Sequence, residues 1–181
     1  MKIRILSTVT VILLFAAGAA PARADVTLTP FIGGLFGGNL PTNKPAYGFS
    51  LAGMGAGVFG GEFDFSWTPG FVKATPTSSS ITEANATGNL IVGIPIGGTH
   101  GASVRPYVVG GGGLIRASQK SSDLATSPVS SNDFGWDVGG GILGTFTTHV
   151  GLRGDVRYFR SNKSGGGFNF WRGSGGVAFK F

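Results

Sequence analysis

From Asp25 onward, apolar and polar side chains alternate almost residue by residue, and no 3.6-residue apolar stripe survives beyond two turns. In an extended chain this alternation sends successive side chains to opposite faces. Phe59, Phe63, Phe65 and Trp67 share one face with Gly61, while Glu62, Asp64 and Ser66 share the other. The stretch Val150–Tyr158 repeats the pattern, with Val150, Leu152, Val156 and Tyr158 against Arg153, Asp155 and Arg157. Glycine, 34 of 181 residues, further disfavours helix. The chain is therefore read as all-β.

Eight strands are expected, near Val26–Gly37, Ala46–Gly53, Val58–Trp67, Ala84–Ile96, Val104–Ala117, Phe134–Phe146, Val150–Arg160 and Phe168–Phe181. Met54–Gly57 and Thr147–His149 are short connections, and Gly97–Ser103 is intermediate. Thr68–Glu83 and Ser118–Asp133 are long and rich in Ser, Thr and Pro, while Gly38–Pro45 and Ser161–Gly167 are shorter but polar. Short turns at one end and longer polar loops at the other describe an eight-stranded antiparallel up-and-down barrel. In a transmembrane barrel the short turns are periplasmic and the longer loops extracellular, and strands of about 9–11 residues suffice to cross a bilayer. A soluble lipocalin-like barrel, binding small apolar ligands, has the same strand count and remains the alternative, as does a narrow porin-like channel.

The polar-face inventory bears on that choice. By parity Glu62, Asp64, Asp137 and Asp155 lie mid-strand on polar faces, as do Arg105, Arg153, Arg157 and Arg172. Eight strands enclose a space just wide enough for side chains, where charges must be paired. Four acids and four bases suit an ion-paired lumen. The five Lys after Asp25 (Lys44, Lys73, Lys120, Lys163 and Lys180) fall in predicted loops or near strand edges. Trp67, Trp136, Trp171, Tyr47 and Tyr158 gather near the long-loop end, and Phe59, Phe146, Phe179 and Phe181 near the other. Two such belts are expected where a barrel meets the two membrane interfaces.

The N-terminus carries an export pattern: Lys2 and Arg4, an apolar run from Val9 to Ala20, then Ala22-Arg23-Ala24. Residues 1–24 are read as a cleaved signal peptide and 25–181 as the barrel domain. Cleavage leaves 11 basic and 8 acidic residues with no basic cluster, so nucleic acid is not an expected partner.

The final Val177-Ala178-Phe179-Lys180-Phe181 places Val177, Phe179 and Phe181 on one face. This resembles the C-terminal signature of bacterial outer-membrane barrels, which the barrel-assembly machinery recognises. Gly151–Phe159 and Pro106–Gly113 resemble strands of the small OmpA/OmpX-type barrels, although Gly173 and Gly175 stand where larger apolar residues are usual. The resemblance implies residence in the cell outer membrane among its lipids and lipopolysaccharide. It also implies a role in membrane integrity, surface interaction or adhesion.

No catalytic, metal or cofactor site is expected. Gly55-Ala56-Gly57-Val58-Phe59-Gly60 matches a dinucleotide fingerprint, but a period-two strand follows where a helix is needed. His100 and His149 sit in predicted short connections, away from the rim where a lipid-modifying enzyme would need a base. Cysteine is absent.

Overall fold

The structure is a computed structural model and describes residues 24–40, 42–72, 81–97, 101–119, 130–162 and 167–181. Residues 1–23 of the expected signal peptide (1–24), together with Lys73, His100, Lys120 and Lys163, lie outside this set. Eight strands run in order: β1 (Ala24–Phe36), β2 (Lys44–Gly55), β3 (Phe59–Val72), β4 (Ile81–Gly93), β5 (Ser103–Gln119), β6 (Ser130–Thr145), β7 (Val150–Ser161) and β8 (Asn169–Lys180). Each pairs antiparallel with its neighbour, and β1 pairs with β8 to close the barrel. Closure leaves no free sheet edge, which is how backbone polar groups are satisfied in an apolar surrounding.

Sequence and structure part company at the strand ends. The strands are 12–17 residues long, more than the 9–11 a crossing requires. β3 and β4 consume both ends of the expected loop Thr68–Glu83: Thr68 pairs with Glu83, and after a register shift Val72 pairs with Ile81. Likewise β5 and β6 absorb Ser118, Gln119 and Ser130–Asp133 from the expected loop Ser118–Asp133. Pro69, Gly70, Asn132 and Asp133 lower local strand propensity, but ladder pairing to a neighbour overrides so weak a preference. β4 conversely stops at Gly93, and Ile96 makes only an isolated bridge to Val104.

The Gly55–Val58 segment is a tight turn. Ala56 and Gly57 both have positive φ (50° and 70°), and Val58 N–H donates to the Gly55 carbonyl at 3.0 Å. Positive φ at both central positions is the hairpin geometry that matches strand twist. The dinucleotide-like string is thus a β2–β3 hairpin.

The two faces are inverted relative to a water-soluble barrel. Ile32, Leu51, Phe63, Leu90, Val108, Ile142, Leu152 and Val156 are exposed on the outside, whereas Glu62, Asp64, Arg153 and Arg157 are buried within. A lipocalin-type container needs the opposite arrangement. Gly175 opens a dent in the outer face, a hollow of about 540 Å³ bordered by Pro30, Ile32, Leu152 and Val177.

Candidate functional site

The interior has three layers, each set by strand parity. At the short-turn end Met54, Ile91, Tyr107, Val109, Leu143 and Ala178 form an apolar cluster. Towards the long connections Leu35, Ala46, Phe159 and Phe170 form a second, with Phe159 and Phe170 stacked at 5.1 Å. Between them lies a charged layer.

Arg157 is fully buried at its centre. Its Nη1 lies 2.7 Å from Glu62 Oε1 and 3.7 Å from both Asp64 Oδ2 and Asp137 Oδ2, and its Nη2 donates to Asp155 Oδ2 at 2.9 Å. Arg153 Nη2 pairs with Glu62 Oε2 at 2.5 Å and Asp155 Oδ2 at 3.3 Å. Its Nε donates to the Tyr107 hydroxyl (2.7 Å) and its Nη1 to Ser50 Oγ (2.9 Å). The Tyr107 hydroxyl in turn donates a hydrogen bond to Asp155 Oδ2 at 3.0 Å, and Ser174 Oγ donates to Asp155 Oδ1 at 2.7 Å.

Arg172 grips Asp64 with two parallel 2.8 Å bonds. Its guanidinium lies between the rings of Phe31 (4.7 Å) and Phe159 (5.0 Å), so it is both bidentate and π-stacked. Asn89, with its amide nitrogen turned to the carboxylate, donates to Asp137 Oδ1 at 2.8 Å and accepts from Thr87 at 3.1 Å.

Seven of the eight charged residues expected in the lumen therefore meet in one network. Arg105 does not join them. It is buried near the short-turn end, 3.5 Å from Asp25, whose other partner is Lys180 at 2.9 Å. Nor is the count four against four, because Glu83 is a fifth fully buried carboxylate. Sequence reading missed Glu83 by placing it in a loop, and missed Tyr107, Ser50, Asn89 and Ser174. For Tyr107 the signal was there: it shares parity with Arg105 on β5.

Glycines on the neighbouring strand β6, paired directly with Arg157, Asp155 and Tyr107, make room for the network. A methyl on Gly139 would sit 2.8 Å from Arg157 Cγ, and one on Gly141 would sit 2.5 Å from the Tyr107 hydroxyl oxygen and 2.6 Å from Asp155 Cβ. Among the described residues, the space left beside Arg153 and Asp155 is only about 10 Å³, bordered also by Thr29, Ser50 and Ser174. That is about one water.

On the outside, Tyr47, Phe59, Trp67, Phe146, Trp171 and Phe179 are exposed, and Trp136 and Tyr158 are half-buried. Tyr47 packs on Trp67 (6.4 Å), and Tyr158 packs between Trp136 (5.7 Å) and Trp171 (5.2 Å). Phe59 to Trp67 on β3 and Trp171 to Phe179 on β8 are each eight residues apart. At about 3.3 Å per residue and roughly 40° of tilt, the two belts stand about 20 Å apart, close to the ~25 Å apolar band of such barrels. Val177, Phe179 and Phe181 are exposed on one side of β8 and its end. His149 is exposed in the β6–β7 turn, 2.8 Å from Thr148 Oγ1.

No family model and no curated protein matches the chain. Solved structures do. Neisserial surface protein A superposes with a TM-score of 0.65 at 18% identity, covering 87% of this chain and 97% of that one. The N-terminal β-barrel domain of Pseudomonas aeruginosa OprF gives 0.56 at 14% identity, covering 88% and 100%. The outer membrane protein OprG, also from Pseudomonas aeruginosa, gives 0.54 at 16%, covering 87% and 96%. The chain has the fold of the small eight-stranded barrels of bacterial outer membranes. At these identities the likeness concerns the fold.

Proposed function

We propose that the protein is an integral β-barrel of a bacterial outer membrane, exported by a signal peptide removed after Ala24. The observation that carries this reading is the inversion of the faces: a continuous apolar exterior between two aromatic belts around a charged, buried interior. Water would penalise such an exterior, and hydrocarbon would not. The short turns then face the periplasm, and the connections at the other end face outward, among lipopolysaccharide, where they are free to meet partners.

Its role on this reading is structural: membrane integrity or surface interaction, without catalysis. The interior is closed rather than channel-like, because apolar clusters cap the ionic layer at both ends. Val177, Phe179 and Phe181 serve the barrel-assembly machinery as the assembly signal, and their common outward face supports that assignment.

Fractionation tests the reading. The protein should stay in the membrane pellet through a carbonate wash and leave it only with detergent, and release by carbonate would refute it. Deleting Phe181 should lower the amount reaching the outer membrane. In planar bilayers the purified barrel should give no steady unit conductance; a reproducible one would replace the closed interior with a pore.

A further inference from the structure

The outer face is dented where β1, β8 and β7 run side by side. Gly175 stands opposite Gly154 on β7, so neither strand supplies a side chain at that level, and Ile32 on β1 flanks Gly175 on its other side. Strand pairing also lapses here. β1 and β8 pair at Leu28 with Phe179 and resume at Phe31 with Gly176, skipping Thr29 and Pro30. Pro30 has no N–H to contribute to a ladder. The resulting hollow of about 540 Å³ has Pro30, Ile32, Leu152 and Val177 at its rim. An apolar cavity of roughly 150 Å³ already takes up benzene.

The chemistry and the height of the hollow say what fits it. The four rim side chains are apolar. Arg153 also borders the hollow, but it is buried and its guanidinium is committed to Glu62, Asp155, Tyr107 and Ser50 inside the barrel. It is therefore not available to orient a polar headgroup. Gly175 lies four residues from Trp171 and four from Phe179. At about 3.3 Å per residue and roughly 40° of tilt, it is about 10 Å from either belt. In a bilayer that is the middle of the hydrocarbon, where the ends of acyl chains lie. A second copy of the chain fits poorly, because a two-fold contact sets the same patch against itself, and a dent facing a dent is filled by neither partner.

We infer that this hollow is a binding groove for the terminal segment of one membrane-lipid acyl chain, held there longer than the chains covering the rest of the barrel. The inference rests on the proposed residence of the barrel in a membrane. Hydrophobicity alone gives no such preference, since lipid tails are as apolar as the rim. The preference comes from dispersion contacts, because a chain lying in a concavity meets more partner atoms than one lying on a convex wall.

The test is photolabelling of the full barrel in phosphatidylcholine vesicles. A small fraction of the lipid carries a diazirine at the end of one acyl chain, and adducts are mapped by peptide mass spectrometry. Phe63 on β3 and Ile142 on β6 are the references, each four residues from the short-turn belt, as Gly175 is. Labelling of Pro30, Ile32, Leu152 and Val177 should exceed theirs several-fold. Gly175→Phe should fill the hollow and bring rim labelling down to the reference level. A methyl at Gly175 comes no nearer than 4.0 Å to its closest neighbour, the Arg153 carbonyl oxygen, so the backbone need not shift. Gly175→Val, a smaller filling, should lower rim labelling as well and serves if the Phe variant does not refold. Even labelling around the barrel, or a rim excess that survives both substitutions, would overturn the groove while leaving the barrel in the membrane. A rim left unlabelled beside labelled Phe63 and Ile142 would overturn it in favour of a second copy covering the hollow. Absence of adducts from the whole outer face would remove the membrane reading, and the groove with it.

Discussion

Two parts of one interior handle buried carboxylates differently. In the middle of the barrel Glu62, Asp64, Asp137 and Asp155 are shared among Arg153, Arg157 and Arg172, so removal of one cation strands several acids. On the β3–β4 wall Glu83 accepts a hydrogen bond from Asn85 and forms no ion pair among the described residues. The first arrangement is self-contained and depends on long side chains reaching across the barrel. The second is local to two adjacent strands. Interdependence should therefore show as large mutational effects in the middle and small ones at the wall.

Arg157→Ala should do the most damage. It leaves four carboxylates crowded without their common partner, and unpairing a buried charge costs about 3–5 kcal/mol. The folded band of the unheated protein on a gel should convert to the unfolded form at a markedly lower temperature. Unchanged heat-modifiability would mean that the network contributes little. Gly141→Ala tests the neighbouring strand, where Gly141 pairs with both Tyr107 and Asp155. The added methyl meets the Tyr107 hydroxyl and Asp155, and such overpacking costs about 1–3 kcal/mol, measurable as a lower urea midpoint in detergent. Tyr107→Phe removes the hydroxyl that links Arg153 to Asp155 and should cost about 1–2 kcal/mol by the same assay, with the fold intact. At the wall, Glu83→Gln should change stability by less than about 1 kcal/mol, because no ion pair is lost. A loss as large as that of Arg157→Ala would erase the distinction between the two regions.

The division into a charged and an apolar face was legible in the sequence because parity is a local property, whereas which face turns inward followed only from the balance of acids and bases and from the aromatic belts. Once Glu62 and Phe63 alternate, one face must be charged and the other apolar, and Arg153, Asp155 and Arg157 extend the rule to β7. Partnership was not legible. Arg153 reaches Ser50, 103 positions away, through the stagger of a closed barrel, which no local pattern encodes. Glu83 was hidden for a different reason. The run from Thr68 to Glu83 contains Pro69, Gly70 and a cluster of Ser and Thr, so its composition reads as loop, and only the pairing of Thr68 with Glu83 turns these residues inward. The glycines of β6 were legible as permissive but not as space for Arg157 and Tyr107, since that requires the registers that set Gly139 beside Arg157 and Gly141 beside Tyr107.

What the outer face touches separates a membrane-spanning barrel from a water-soluble one. The chain has no native cysteine, so single cysteines at Phe63, Leu90 and Ile142 can each carry a fluorophore in the barrel reconstituted into lipid vesicles. Brominated acyl chains should quench the label at all three positions while aqueous iodide leaves it unaffected. Quenching by iodide with none from the brominated lipid would place that face in water and contradict the account.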